Sequence, residues 1–171
     1  MARNVEIKAR IASVETLLPR ARSLADGPEE RIEQDDTFFV CARGRLKLRD
    51  FRDGSGELIH YTRLDTEGPK VSDYVRAPTS DPSALREALA RAHGVAGRVR
   101  KARVLLLAGT TRIHLDRVDG LGDFLELEVV LRDDQSEAEG HAIAQQLLDG
   151  LGISASQCVA GAYLDLLGAR R

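Results

Sequence analysis

Glu126 and Glu128 stand two residues apart in the run Asp123-Phe124-Leu125-Glu126-Leu127-Glu128. In an extended chain alternate side chains point the same way, so the two carboxylates share a face opposite Leu125 and Leu127. Like charges so placed repel unless a counter-charge lies between them, and hard oxygen ligands of this kind suit Mg²⁺ or Mn²⁺. The same spacing recurs with opposite sign. Lys47 shares a face with Arg49, and Lys101 with Arg103; each pair calls for a polyanion. Arg112, His114 and Asp116 alternate with Ile113 and Leu115, while Asn4, Glu6, Lys8 and Arg10 alternate with Val5, Ile7 and Ala9. Arg63 falls on the side of its segment that carries Ile59 and Tyr61. A solvated sheet face mixes Thr, Ser, Gln and scattered charges. A polar lumen that holds both a metal and a polyphosphate fits these runs better.

The elements that must position these residues are mostly strands, because period-two alternation dominates the chain. Strands are predicted at 4–11, 36–41, 44–52, 57–65, 70–76, 98–108, 111–118 and 123–132, with a short extended piece at 159–164. Gly54-Ser55-Gly56, Gly109-Thr110 and Asp119-Gly120 supply turns of an antiparallel meander. Three helices are predicted. The first, over 13–25, is capped by Ser13 and is expected to kink or to begin at Pro19. The second opens at Asp81-Pro82 and stops at Gly94. The third opens on a Ser136/Glu139 capping box and ends at Gly150 and Gly152. This pattern makes an α+β protein, an eight-stranded antiparallel β tunnel with a charged lumen and about three flanking helices.

Composition narrows the function classes. The chain has 171 residues, long enough for a single domain with a real core. Twenty-five basic and 27 acidic residues leave a net charge of −2, which excludes a basic nucleic-acid coat. With no Trp, four Phe and three Tyr there is little material for stacking on bases. Cys41 and Cys158 form no CxxC pair, which argues against a disulfide framework or a cysteine zinc site. The opening residues MARNVEIKAR resemble no targeting peptide, and no apolar run approaches membrane-spanning length, so a cytoplasmic protein without a membrane partner is expected.

In their order and spacing, several segments resemble the CYTH, or triphosphate tunnel metalloenzyme, superfamily. They are Asn4-Val5-Glu6-Ile7-Lys8, Gln34-Asp35-Asp36-Thr37-Phe38-Phe39, Gly44-Arg45-Leu46-Lys47-Leu48-Arg49, Tyr61-Thr62-Arg63 and Gly68-Pro69-Lys70. The series continues with Val99-Arg100-Lys101-Ala102-Arg103, Thr111-Arg112-Ile113-His114-Leu115-Asp116, the Gly120–Glu128 run and Tyr163-Leu164-Asp165-Leu166-Leu167. The resemblance implies one tunnel domain over 1–171 that binds a triphosphate and one or two divalent metals, Mg²⁺ or Mn²⁺. It implies metal ligation by Glu6, Glu126 and Glu128 with Asp116 nearby, and catalytic roles for Glu6, Lys8, Glu126 and Glu128. Phosphate oxygens would be clamped by Lys8, Lys47, Arg49, Arg63, Lys70, Lys101 and Arg103. Asn4, Arg10, Arg112 and His114 would also line the lumen. Asn4 departs from the family pattern, which usually has Glu there.

The implied substrate is ATP, inorganic triphosphate or thiamine triphosphate. Water attacking the terminal phosphorus makes the protein a triphosphatase; a ribose hydroxyl attacking the α-phosphorus of ATP makes it a class IV-type adenylate cyclase. Phe38-Phe39-Val40-Cys41-Ala42 lacks the His-Phe-x-x-Pro motif associated with such cyclases, which favours hydrolysis, whereas Gly68-Pro69-Lys70 and the length resemble cyclase-like members. A polyphosphate-binding module without turnover is the third reading. If charges point inward, Val5, Ile7, Leu46, Leu48, Leu125 and Leu127 point outward and need cover, so a homodimer is expected.

Overall fold

The computed structural model describes residues 2–63 and 70–168; the side chains of residues 2, 63, 70 and 71 lie outside that description. Eight strands run in chain order as β1 (Ala2–Arg10), β2 (Glu30–Phe39), β3 (Arg45–Asp50), β4 (Gly56–Arg63), β5 (Lys70–Thr79), β6 (Val95–Ala108), β7 (Thr111–Val118) and β8 (Gly122–Leu131). They close into a ring in the order β1-β5-β4-β3-β2-β6-β7-β8, and every neighbouring pair is antiparallel. The predicted antiparallel tunnel is therefore the observed fold.

The ring is turned inside out relative to a small barrel with an apolar interior. Its charged faces point inward, and the alternate apolar faces form a core outside the sheet. There Val5 and Ile7 of β1, Leu106 of β6, Leu115 of β7 and Leu125, Leu127 and Val129 of β8 pack under two helices. Helix α1 (Val14–Leu24) supplies Val14, Leu18 and Ala21; α3 (Glu137–Leu151) supplies Ala144, Leu148 and Leu151. Helix α2 (Pro82–His93) buries only Pro82 and lies against β2 and β3. The apolar face on which the expectation of a homodimer rested is thus largely covered within the chain, since Val5, Leu48, Leu125 and Leu127 have no exposed area.

Local chemistry fixes the helix ends. Ser13 accepts a hydrogen bond from the Thr16 N–H, and Asp123 accepts one from the Val14 N–H at 2.8 Å, which ties α1 to the start of β8. The helix runs through Pro19 rather than starting there. Asp81 caps α2, and Ser136 and Glu139 form the predicted capping box of α3. Gly152 closes α3 in the left-handed region (φ 72°), a conformation a glycine adopts without a Cβ clash.

Two expectations need correction. β2 begins at Glu30, six residues before the predicted strand. The last segment is not simply extended: after a single bridge between Ala9 and Cys158 the chain forms a short helix, α4 (Tyr163–Gly168). Its Tyr163, with Leu164, Leu166 and Leu167, joins Phe38, Ile59, Tyr61, Val99, Val118, Leu121 and Phe124 in a second apolar cluster. Phe38, Val99 and Phe124 of that cluster share the inward faces of their strands with Asp36, Lys101 and Glu126. Leu164 lies so close to Gly97 of β6 that a Cβ there would collide with it.

Candidate functional site

The lumen opens into a cavity of about 720 Å³ lined by charged side chains from most of the strands. Register explains how they meet, because directly opposed residues of an antiparallel pair point to the same side. Glu126 of β8 stands between Lys8 of β1 and His114 of β7; two residues along, Glu128 stands between Glu6 of β1 and Arg112 of β7. On the far wall Lys47 and Arg49 of β3 oppose Phe38 and Asp36 of β2, and Gln34 of β2 opposes Lys101 of β6.

The two sides have opposite character. On the basic wall a single carboxylate, Asp36, meets three cations. Arg49 donates to both its oxygens at 2.8 Å, Lys47 lies at 3.2 Å and Lys101 at 3.8 Å. Burial alone would raise the Asp36 carboxyl, yet Arg49, Lys47 and Lys101 hold it well below the usual carboxylate range. Burial, then Arg103, pushes the Lys101 ammonium well down; burial, then Arg49, lowers Lys47. Lysines desolvated beside arginines favour an additional anion.

On the acidic side Glu126 is approached by Lys8 at 3.4 Å, Arg103 at 3.3 Å and His114 Nδ1 at 3.3 Å, and Glu128 by Arg112 at 3.4 Å. Despite burial, Lys8, His114 and Arg103 keep the Glu126 carboxyl well below its usual range; His114 is the chief group lowering Glu128. Burial, then Arg103, lowers the pKa of His114. Asp116 behaves differently. Arg103 donates to both its oxygens at 2.7 Å and the Tyr163 hydroxyl donates to one at 2.8 Å; the carboxyl is fully buried and, against that burial, is lowered by Arg103 to about 2.

Donor chemistry tests whether a divalent cation fits. Among the described residues, ligand atoms of His114, Glu126 and Glu128 all lie within 4.8 Å of one another. Asn4 lines the same cavity, is 2% exposed, and its Oδ1 has no hydrogen-bond partner among the described residues. Two carboxylates, an imidazole and an orphaned amide oxygen fit a divalent cation.

The sequence-predicted residues Glu6, Lys8, Lys47, Arg49, Lys101, Arg103, Glu126 and Glu128 all line this cavity, with Asn4, Arg112 and His114. Asp116 stands apart from the donor group, in the grip of Arg103 and Tyr163. Arg10, expected in the lumen, does not line the cavity: it is exposed, its guanidinium 4.8 Å from the centre of the Phe124 ring. The side chains of Arg63 and Lys70 lie outside the described residues, although register sets Lys70 beside Glu6 and Arg63 beside Ser72. Sequence reasoning gave no role to two residues. Asp36 follows Gln34 on the lumen face of β2, and Tyr163 holds both Asp116 and Lys8, whose Nζ sits 4.0 Å from the ring centre and donates to Gly161 O at 3.2 Å.

A closed antiparallel ring of eight strands around a charged lumen, basic on one wall and acidic in the facing corner, defines the class. The chain belongs to the CYTH domain family, whose pattern it matches over residues 2–163. Solved structures share the fold. A Pyrococcus horikoshii protein, PH1012, is 24% identical, with 96% of this chain and 99% of that one covered and a TM-score of 0.83. A candidate adenylate cyclase from Vibrio parahaemolyticus is 19% identical over 96% and 97% of the two chains, at a TM-score of 0.79. A Hippeastrum candidate adenylyl cyclase, described as revealing a dominant triphosphatase activity, is 15% identical over 100% and 97%, at 0.69. No curated protein matches the chain by sequence. No helix among the described residues is long and apolar enough to cross a membrane.

Proposed function

We propose that the protein is a divalent-metal-dependent triphosphatase acting on an organic or inorganic triphosphate in the lumen. The observation that carries this reading is the wall on which, among the described residues, Lys47, Arg49 and Lys101 converge on the one carboxylate of Asp36, a surplus of positive charge facing the corner of Glu126 and Glu128 across one cavity. A triphosphate would lie against that wall. Arg49 presents a planar fork suited to paired phosphate oxygens, while Lys47 and Lys101 act as point charges. Arg103, oriented by Asp116, extends the wall towards Glu126. Lys8, held by the Gly161 carbonyl and the Tyr163 ring, would offset charge on the reacting phosphate or orient the nucleophile.

Phosphoryl transfer of this kind is catalysed mainly by positioning and by stabilising charge. Glu126 and Glu128, with Glu6 opposite Glu128, would hold Mg²⁺ or Mn²⁺, which when bound supplies Lewis-acid polarisation of phosphate oxygens. Asp116 is better suited to fixing Arg103 than to ligating, since its two oxygens are already engaged. The Hippeastrum relative's described triphosphatase activity supports hydrolysis over cyclisation.

The test is product analysis after incubation with ATP, inorganic triphosphate and thiamine triphosphate, each with Mg²⁺ or Mn²⁺. Orthophosphate or pyrophosphate released without a cyclic nucleotide is expected, and turnover should vanish in Glu126→Gln and Glu128→Gln. Cyclic AMP as the main product from ATP would make the protein a cyclase; tight binding with no turnover would make it a binding module.

A further inference from the structure

The sequence offers three polar residues on the lumen face of β7: Arg112, His114 and Asp116. Among the described residues they are held unequally, Asp116 by short bonds and His114 by one long contact to Glu126. Both oxygens of Asp116 are taken by short, charge-assisted hydrogen bonds, at 2.7 Å from Arg103 and 2.8 Å from Tyr163. Withdrawing that carboxylate would strand a buried arginine and a buried phenol. The groups around Glu126 and Glu128 approach at 3.3–3.4 Å, long for charge-assisted bonds and correspondingly easy to exchange for a cation. His114 is 3% exposed, directly opposes Glu126 in the ladder, and turns Nδ1 towards its Oε1 at 3.3 Å. The Oδ1 of Asn4, buried and without a hydrogen-bond partner among the described residues, lines the same cavity one rung beyond the Glu6–Glu128 pair.

We propose that His114 is a nitrogen ligand of the divalent cation, completing with Glu126 and Glu128 a mixed nitrogen and oxygen site that prefers Mn²⁺ to Mg²⁺. The inference rests on the metal-dependent reading above and assigns a ligand that reading does not need. Imidazole suits first-row transition ions, whereas Mg²⁺ keeps to oxygen and water.

The test needs no turnover. Mn²⁺ is bound to the full chain in the absence of any triphosphate, and pulsed electron paramagnetic resonance reads nitrogen coupled directly to the ion. A ¹⁴N coupling is expected, changing to ¹⁵N when the protein is made with ¹⁵N-histidine, a label that cannot disturb folding. In His114→Gln the coupling should disappear while Mn²⁺ still binds. Calorimetry should show the Mn²⁺ dissociation constant rising about tenfold and that of Mg²⁺ changing less than about threefold. Bound Mn²⁺ without histidine coupling overturns the assignment, as does failure to bind Mn²⁺, or an equal loss of both metals in the variant. Histidine-coupled Mn²⁺ in a protein that cleaves no triphosphate keeps the ligand and overturns the enzymatic reading. Mn²⁺-dependent cleavage without histidine coupling does the reverse.

Discussion

Asp36→Asn removes one negative charge and almost no volume from the basic wall. Asp36 is 1% exposed and accepts two hydrogen bonds from Arg49 at 2.8 Å, with Lys47 and Lys101 within 3.8 Å. Without it, one buried and two partly buried cations face one another. Breaking a buried ion pair by removing one partner costs about 3–5 kcal/mol. For a chain of this size that lowers the melting temperature by roughly 6–20 °C. The carboxyl's pKa lies well below its unfolded value, so its contribution is complete above the unfolded pKa of about 3.9 and fades only as pH falls through the lower folded value. The deficit of the variant should therefore hold steady from pH 7 down to about 4.

The same substitution should improve ligand binding. A triphosphate would bring to Lys47, Arg49 and Lys101 the negative charge that Asp36 supplied, with no carboxylate to repel it. A ligand at a hundred times its dissociation constant stabilises a protein by about 2.7 kcal/mol, so inorganic triphosphate should recover much of the lost stability. Thermal unfolding with and without triphosphate, at fixed ionic strength, measures both effects. The predicted signature is a lower melting temperature in buffer with a larger ligand-induced rise than wild type. A loss below 2 °C, or a ligand-induced rise no larger than wild type, would refute the assignment of Asp36 as the internal counter-charge of a phosphate wall.

Lys47→Ala should weaken triphosphate binding and flatten its dependence on salt, read by calorimetry at two ionic strengths, because a partly buried point charge would be lost from the wall. Leu127→Ala, in the core between β8 and the helices, should cost about 2–5 kcal/mol in chemical denaturation while leaving triphosphate affinity intact, since the residue points away from the lumen. Gly97→Ala should cost about 1–3 kcal/mol by overpacking against Leu164. Adding Leu164→Ala to that variant should cost less than Leu164→Ala alone, and an additive result would mean that α4 does not pack on β6 as described.

Where local chemistry sets a boundary, it was legible in the sequence. The Asp81-Pro82 start and Gly94 stop of α2 and the Ser136/Glu139 box of α3 are intrinsic to a few neighbouring residues. Strand parity was equally readable for β1, β7 and β8, because their outward faces are apolar and buried under α1 and α3. β2 lacked that signal. Its first half, Glu30-Arg31-Ile32-Glu33-Gln34, is polar at four of five positions and contributes nothing to the outer apolar cluster. With its start hidden, Gln34 and Asp36 could not be seen as neighbours on a lumen face. Residues 163–167 were ambiguous for another reason: a short run with four apolar residues in five reads equally as a strand or a buried helical turn. Nor could any spacing rule separate His114 from Asp116. Both lie on the same face of β7, and only the register that sets Arg103 beside Asp116 and His114 beside Glu126 divides their roles.

That division bears on how so charged an interior can be stable at all. Charges of one sign packed into a lumen would repel at short range in a poorly screened space. Here each group of one sign is threaded with a member of the other: Asp36 sits within the basic wall, and Lys8 and Arg103 reach into the acidic corner. The near-zero net charge of the whole chain is the sum of such local pairings. Pairing need not mean uniform strength, and the distances show that it does not. Arg103 is locked on Asp116 at 2.7 Å but only leans on Glu126 at 3.3 Å. Tight pairs fix the frame and loose pairs mark the exchangeable positions, so a cation that takes up Glu126 and Glu128 would free Lys8 and the outer edge of Arg103 to turn towards phosphate. Metal and triphosphate should then bind with positive coupling: each increases the affinity for the other by the same factor, because each releases the counter-charge that the other needs.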